Sequence, residues 1–258
     1  MKSERLTLIQ EYLTAKNSVS IEELCTHFHV SVNTIRRDLN ILKSEGKILK
    51  VYGGAKLNPN YENPYTPLKS YRERHFINST AKKNVARIAS TYISDGDCIF
   101  IDTGTSTAML LPQLSKLKYL TIITNNIYIL HSCLDYPQFT AIALPGVIKT
   151  KTASIVGIEC LNSIGKYHID KAFMACTTIS KGGDVGNSSV DEYVIKKSVL
   201  EHSKHHYLLT DHTKFSDPSL MTFADIHQFE YVFTDILPSE DYMHLFSDHA
   251  VTLISAAK

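Results

Sequence analysis

Four residues, Asn33, Arg36, Arg37 and Asn40, recur at i, i+3, i+4 and i+7, so a helix through them carries two amides and two guanidiniums on one face. That set suits duplex DNA: Arg offers paired donors to the O6 and N7 of guanine, Asn can do the equivalent for adenine, and both can hold a phosphate. Ser31 and Thr34 at the start of the helix, and Lys50 and Tyr52 beyond it, add groups able to reach the DNA backbone or minor groove. An Arg-Arg pair alone is ordinarily a solvated face, so the surrounding elements decide. A second set lies at Asp102-Thr-Gly-Thr-Ser-Thr107, directly after an apolar run. A glycine among hydroxyls at a strand end supplies backbone amides and side-chain donors for a phosphate or other anion. Asp102, Gly104, Thr105, Ser106 and Thr107 are the candidates there, with Thr124 and Asn125 after the next apolar run and Lys214 after a later one. A polar turn whose threonines merely cap the next helix would look the same. Neither Gly-Lys-Ser/Thr nor Gly-x-Gly-x-x-Gly occurs, so nucleotide hydrolysis and dinucleotide binding are poorly supported.

The flanking patterns supply the means of holding the first set. Ser31 is a good N-cap, and Val32, Ile35, Leu39 and Leu42 form a core-facing stripe. Before it, Ser20-Ile-Glu-Glu23 reads as a capping box opening a short helix through Ile21, Leu24 and Phe28, and His29-Val30 leaves room only for a tight corner. Leu6, Ile9 and Leu13 define an earlier helix that ends at Asn17-Ser18. After the recognition helix, Gly46 can take the positive φ of a helix end, and Lys47 to Gly54 reads as a β-ribbon, a wing. Residues 1–57 hold nine Lys/Arg against six Asp/Glu, a charge of +3, while the rest carries −2, so the basic end is the polyanion-binding end.

Beyond Asn58, Pro59, Pro64 and Pro67 enforce an extended connection, and residues 58–78 are expected to be a linker and connecting helix. Lys69 to Phe76 reads as that helix, and Val85, Ile88, Ala89, Tyr92 and Ile93 as another, ending at Asp95-Gly96-Asp97. In residues 79–258, short apolar runs at 98–101, 120–123, 140–144, 172–175, 206–209 and 231–233 alternate with longer segments, several of them able to be helical. Doubly apolar strands between helices mean a mostly parallel, Rossmann-like α/β sheet with its ligand at the carboxyl ends of the strands. Five scattered cysteines without Cys-x-x-Cys suggest neither disulfides nor zinc. His202, His205, His206 and His212 lack a partner at ligand spacing, so no metal or other cofactor is expected. With no long apolar run and no signal-peptide pattern, a cytoplasmic protein without membrane contact is expected.

The run Ser31-x-x-Thr-Ile-Arg-Arg-Asp-Leu39, then Glu45-Gly46 and Val51-Tyr-Gly-Gly-Ala55, closely resembles the winged helix-turn-helix of the DeoR-type family of bacterial repressors. The resemblance extends through Asp102-x-Gly-Thr-x-Thr107, Thr124-Asn125, Asp170-Lys-Ala-Phe173, Gly182-Gly183, Glu192 with Lys196-Lys197, and Asp211-x-x-Lys-Phe215 to that family's sensor domain. It implies a sensor similar in architecture to sugar-phosphate isomerases, with Asp102, Gly104, Thr105, Ser106, Thr107, Asn125 and Lys214 as effector contacts. The expected function is repression of a carbohydrate-catabolism operon. The expected partners are a double-stranded DNA operator, a phosphorylated sugar or polyol effector, and further copies in a homodimer or homotetramer. The alternative is a sugar-phosphate isomerase with an appended DNA module, Asp102, Glu192 and Lys214 converging as base, acid and electrostatic group.

Overall fold

The computed structural model of the chain describes residues 2–16, 18–58, 69–248 and 250–257. Most of the proline-rich connection, with Tyr61 and Tyr65, and the expected helix end at Asn17 lie outside the described residues. Met1–Asn63 and Pro64–Lys258 form two compact units.

In the first unit, α1 (Lys2–Lys16), β1 (Ser18–Ser20), α2 (Ile21–Phe28), α3 (Val32–Ser44), β2 (Ile48–Val51) and β3 (Gly54–Leu57) enclose one small core. Ile9, Leu13, Val19, Leu24, Ile35, Leu39, Leu42, Ile48 and Ala55 fill it. Full burial of each large aliphatic side chain contributes about 1.5–3 kcal/mol, enough to fix three short helices that would not persist alone. Ser20 caps α2 by accepting from the Glu23 amide at 3.0 Å. The reciprocal half of the expected capping box is absent, because the Glu23 carboxylate accepts instead from the Lys16 ammonium and the Tyr12 hydroxyl. Val32, placed in the core stripe by its spacing, is exposed at the first turn of α3, where the helix has not yet reached its neighbours. The wing hairpin β2–β3 turns at Gly53, whose φ is +74°. β1 adds a third antiparallel strand on β3; its three residues are too short to show a period in sequence.

The second unit opens with α4 (Tyr71–Phe76), whose Ser70 and Glu73 form a complete capping box, and α5 (Ser79–Ala89). There follow β4 (Cys98–Ile101), β5 (Leu120–Thr124), α6 (Ile127–Ser132), β6 (Phe139–Ala143), the hairpin β7 (Val147–Lys149) and β8 (Ser154–Val156), and α7 (Ile158–Ile164). Then come β9 (Ile169–Ala175), β10 (Thr178–Ile179), β11 (Asp184–Asn187), α8 (Val190–Glu201), β12 (Ser203–Leu209), β13 (Met221–Asp225), β14 (Tyr231–Thr234), α9 (Glu240–Asp248) and β15 (Thr252–Ser255). Seven strands make one parallel sheet in the order β15-β14-β12-β9-β4-β5-β6. Alternate residues feed two cores. Phe100, Ala172, Met174, Leu208 and Val232 face one, and Ile99, Ile101, Phe173, Tyr207, Leu209 and Phe233 face the other. This is why the central strands read as unbroken apolar runs.

The chain lays down β4, β5 and β6 outward in one direction, then returns to place β9 on the far side of β4 and continues to β12, β14 and β15. The order therefore reverses between β4 and β9, and in open parallel sheets the crevice outside the carboxyl ends at that reversal is where ligands bind. β10, β11 and β13 form a small antiparallel sheet from the connections that leave the carboxyl ends of β9 and β12.

Candidate DNA interface and effector site

On α3, Asn33, Arg36, Arg37 and Asn40 are all exposed, and Ile35, Asp38, Leu39 and Leu42 are buried. Ser31 caps the helix, accepting from the Thr34 amide at 3.3 Å, and the two hydroxyls are 2.9 Å apart. Among the described residues neither the Arg36 nor the Arg37 guanidinium has a hydrogen-bond or ion-pair partner, so both charges face outward uncommitted. The helix is braced from behind. Asp38, between Arg37 and the core residue Leu39, accepts from Arg5 of α1 through both carboxylate oxygens, at 2.7 and 3.3 Å. Lys50 on the wing donates to Asn40 Oδ1, tying wing to helix, while Tyr52 at the tip is fully exposed. Nothing in the sequence spacing signals either the Arg5–Asp38 or the Lys50–Asn40 contact, since each joins separate elements.

At the sheet edge, the whole of Asp102 to Thr107 is buried. Gly104 passes so close to β9 that a Cβ there would lie 2.2 Å from the Ala175 Cβ. The Asp102 carboxylate accepts from the Ala175 amide at 2.9 Å and from the Lys196 ammonium, which also donates to the Ala175 carbonyl at 2.8 Å. One buried ion pair thus bolts β4, β9 and α8 together at the reversal point. Thr107 donates to the carbonyls of Asp102 and Gly104, both at 2.8 Å, and Thr124 to that of Ile101 at 2.6 Å, so these two hydroxyls shape the loops. The loop is followed by two 3-10 turns, Thr107–Met109 and Leu111–Leu114, rather than by an α-helix, so little helix dipole points at it. Asn125 donates to the Ile155 carbonyl at 2.9 Å, while its Oδ1 is buried without a partner.

Besides Lys196 and Lys214, which the sequence reading named, positive charge comes from Arg74 and Lys82, which it passed over. A cavity of about 20 Å³ is lined by Arg74, Thr103, Gly104, Ala175, Cys176, Thr177, Asn187, Glu192 and Lys196. Lys82, only 4% exposed, donates to the Arg74 and Ile77 carbonyls at 2.6 and 2.7 Å. Its signal was legible: it precedes Val85, Ala86 and Ala89 by three, four and seven residues, a lysine on an apolar stripe. Asp211, 1% exposed, accepts from the Asn78 side chain at 3.2 Å and from Thr213, yet its Oδ2 is buried without a partner. Burial opposes its charge, but nearby Lys214, the Thr213 hydroxyl and Lys82 hold its carboxyl below the ordinary range. Burial pushes the Cys176 thiol up to about 11, the direction that favours its protonated form. The histidines go separate ways: His202 to the Ser198 carbonyl, His205 to Glu230, His206 to the Gln228 carbonyl, His212 to Asp235.

Residues 5–60 match the family model described as the DeoR-like helix-turn-helix domain, and residues 77–236 that of the DeoR C terminal sensor domain. The chain belongs to the DeoR family. This DeoR-family chain is 36% identical over 251 residues to the "HTH-type transcriptional regulator IolR" of Bacillus subtilis (strain 168), covering 97% of this chain and 98% of that protein. Over 252 residues it is 30% identical to the "Glycerol-3-phosphate regulon repressor" of Escherichia coli (strain K12), with 98% of each covered. It is a DNA-binding transcriptional regulator, and these relatives are named as regulators, not enzymes. A slighter likeness, 17% identity and a TM-score of 0.40, covers 54% of this chain and 55% of ribose 5-phosphate isomerase A from Methanocaldococcus jannaschii. Among the described residues no helix is long and apolar enough to cross a membrane.

Proposed function

We propose that this DeoR-family chain works in the cytoplasm as a homodimer or homotetramer repressing a carbohydrate-catabolism operon, and that a phosphorylated sugar or polyol alters its hold on the operator. The observation that carries the DNA half is the uncommitted Arg36–Arg37 pair on a helix whose opposite face is core. Asn33 and Asn40 flank that pair for base edges, with Ser31, Thr34, Lys50 and Tyr52 toward the backbone. Two copies place two such helices in successive major grooves, turning weak half-site contacts into tight binding.

For the effector half, Gly104, Thr105, Ser106, Asn125 and Lys214 are assigned as contacts; the reading is supported by Gly104 and Arg74 lining the cavity and by Lys82 and Lys214 near Asp211, cations suited to a phosphate. Asp102, Thr107 and Thr124 act by holding this edge in shape. The cavity as it stands is about the size of one water molecule, so a sugar phosphate must open it. A ligand that binds only the opened form shifts the population toward it by its differential affinity. Arg74 lines the cavity and belongs to α4, the first described helix after the proline-rich stretch of the sequence. Thermal-shift screening against sugar and polyol monophosphates, followed by operator-binding assays with each stabilising compound, tests the proposal. A compound that raises the melting temperature and changes operator affinity is the expected result; equal effector affinity with and without operator would overturn the coupling.

A further inference from the structure

Phosphate recognition leaves open what reads the carbon chain of the ligand. Glu192 is the one carboxylate among the described residues lining the cavity, while the neighbouring Asp102 is taken up by the Ala175 amide and Lys196. Glu192 lies in the first turn of α8, where the helix end favours an anion, and is 5% exposed. Its Oε1 accepts from the Thr103 hydroxyl at 2.8 Å, which fixes the plane of the carboxylate. A carboxylate has about four acceptor positions and no donor, so at this place it repels a phosphate and attracts a hydroxyl.

Building on the effector reading above, we propose that Glu192 is a specificity-determining residue that accepts a hydrogen bond from a hydroxyl on the effector's carbon chain, held in position by Thr103. The site therefore selects polyhydroxylated phosphate esters over inorganic phosphate. A buried acceptor left without its donor is costly, and this asymmetry, more than the strength of the bond itself, produces the discrimination.

Isothermal titration of the full chain with inorganic phosphate and with sugar and polyol monophosphates tests this, using wild type, Glu192→Gln and Thr103→Val. Glutamine keeps the shape and the acceptor for Thr103, and an unchanged ligand-free melting temperature shows that the fold is retained. Glu192→Gln is expected to weaken the tightest-binding sugar or polyol phosphate about tenfold or more, while inorganic phosphate binds as before or better once the negative charge is gone. Thr103→Val should weaken the same compound by a smaller factor. Equal losses for both probes, or none for the sugar phosphate in either variant, would overturn the proposal while leaving the effector reading intact. If no phosphorylated compound binds wild type, the effector reading itself fails, and this assignment with it.

Discussion

The two regions use polar residues in opposite ways. On α3 the guanidiniums of Arg36 and Arg37 are exposed and without partners among the described residues, whereas at the sheet edge Asp102, Lys196, Thr107 and Thr124 are buried and engaged with one another or with backbone. A surface that binds a large polyanion keeps its charges in water until the partner arrives. A pocket that binds a small molecule must satisfy its buried charges when empty, because an uncompensated one is destabilising. At a buried edge, then, a polar residue's presence says less about ligand contact than does the absence of an internal partner, and Asn125 Oδ1 and Asp211 Oδ2 have none among the described residues.

That contrast predicts a hierarchy of effects. Lys196→Met, which strands the Asp102 carboxylate, should destabilise the second unit by about 3–5 kcal/mol in chemical denaturation, and adding Asp102→Asn should recover part of the loss. Recovery of nothing would show that the pair is not a closed unit. Arg36→Ala with Arg37→Ala should leave the melting temperature and effector binding unchanged. Operator affinity should fall by about 3 kcal/mol, on the order of 100-fold, with the salt slope shallower by about 2. Loss of folding in that variant would mean the α3 face is structural. Gly104→Ala should cost about 1–3 kcal/mol of stability by forcing the loop away from Ala175, and should weaken sugar-phosphate binding more than operator binding.

The smallest effect is on pH. Because the Asp211 carboxyl is held below its ordinary value, its contribution is fully present above the carboxylate range and is lost as pH falls through the depressed value. Stability curves of wild type and Asp211→Asn should therefore converge below about pH 4, and parallel curves would remove Asp211 from the charge cluster.

Local signals carried most of what the sequence disclosed. The Ser31 cap, the α3 stripe from Ile35 to Leu42 and the Gly46 turn each depend on neighbours within a few residues, and the six apolar runs coincide with strands of the parallel sheet. The seventh strand, β15, was missed: it is four residues long and only its two central residues are apolar. The effector edge was half legible. Its loops announced themselves through glycine and hydroxyls, and Glu192 and Lys196 through the family resemblance, but Arg74 lies on a helix, where a charged residue usually means solvent. Only long-range pairing brings Lys196 to Asp102 across 94 residues, and periodicity carries no information on such partners.

The Lys50–Asn40 bond has a further implication for altering operator choice. Because the ribbon lysine and the helix asparagine hold each other, helix and ribbon form a single unit whose halves cannot be exchanged separately. A transplanted α3 lacking Asn40 would leave Lys50 without its acceptor, so the ribbon has to be chosen together with the helix it leans on.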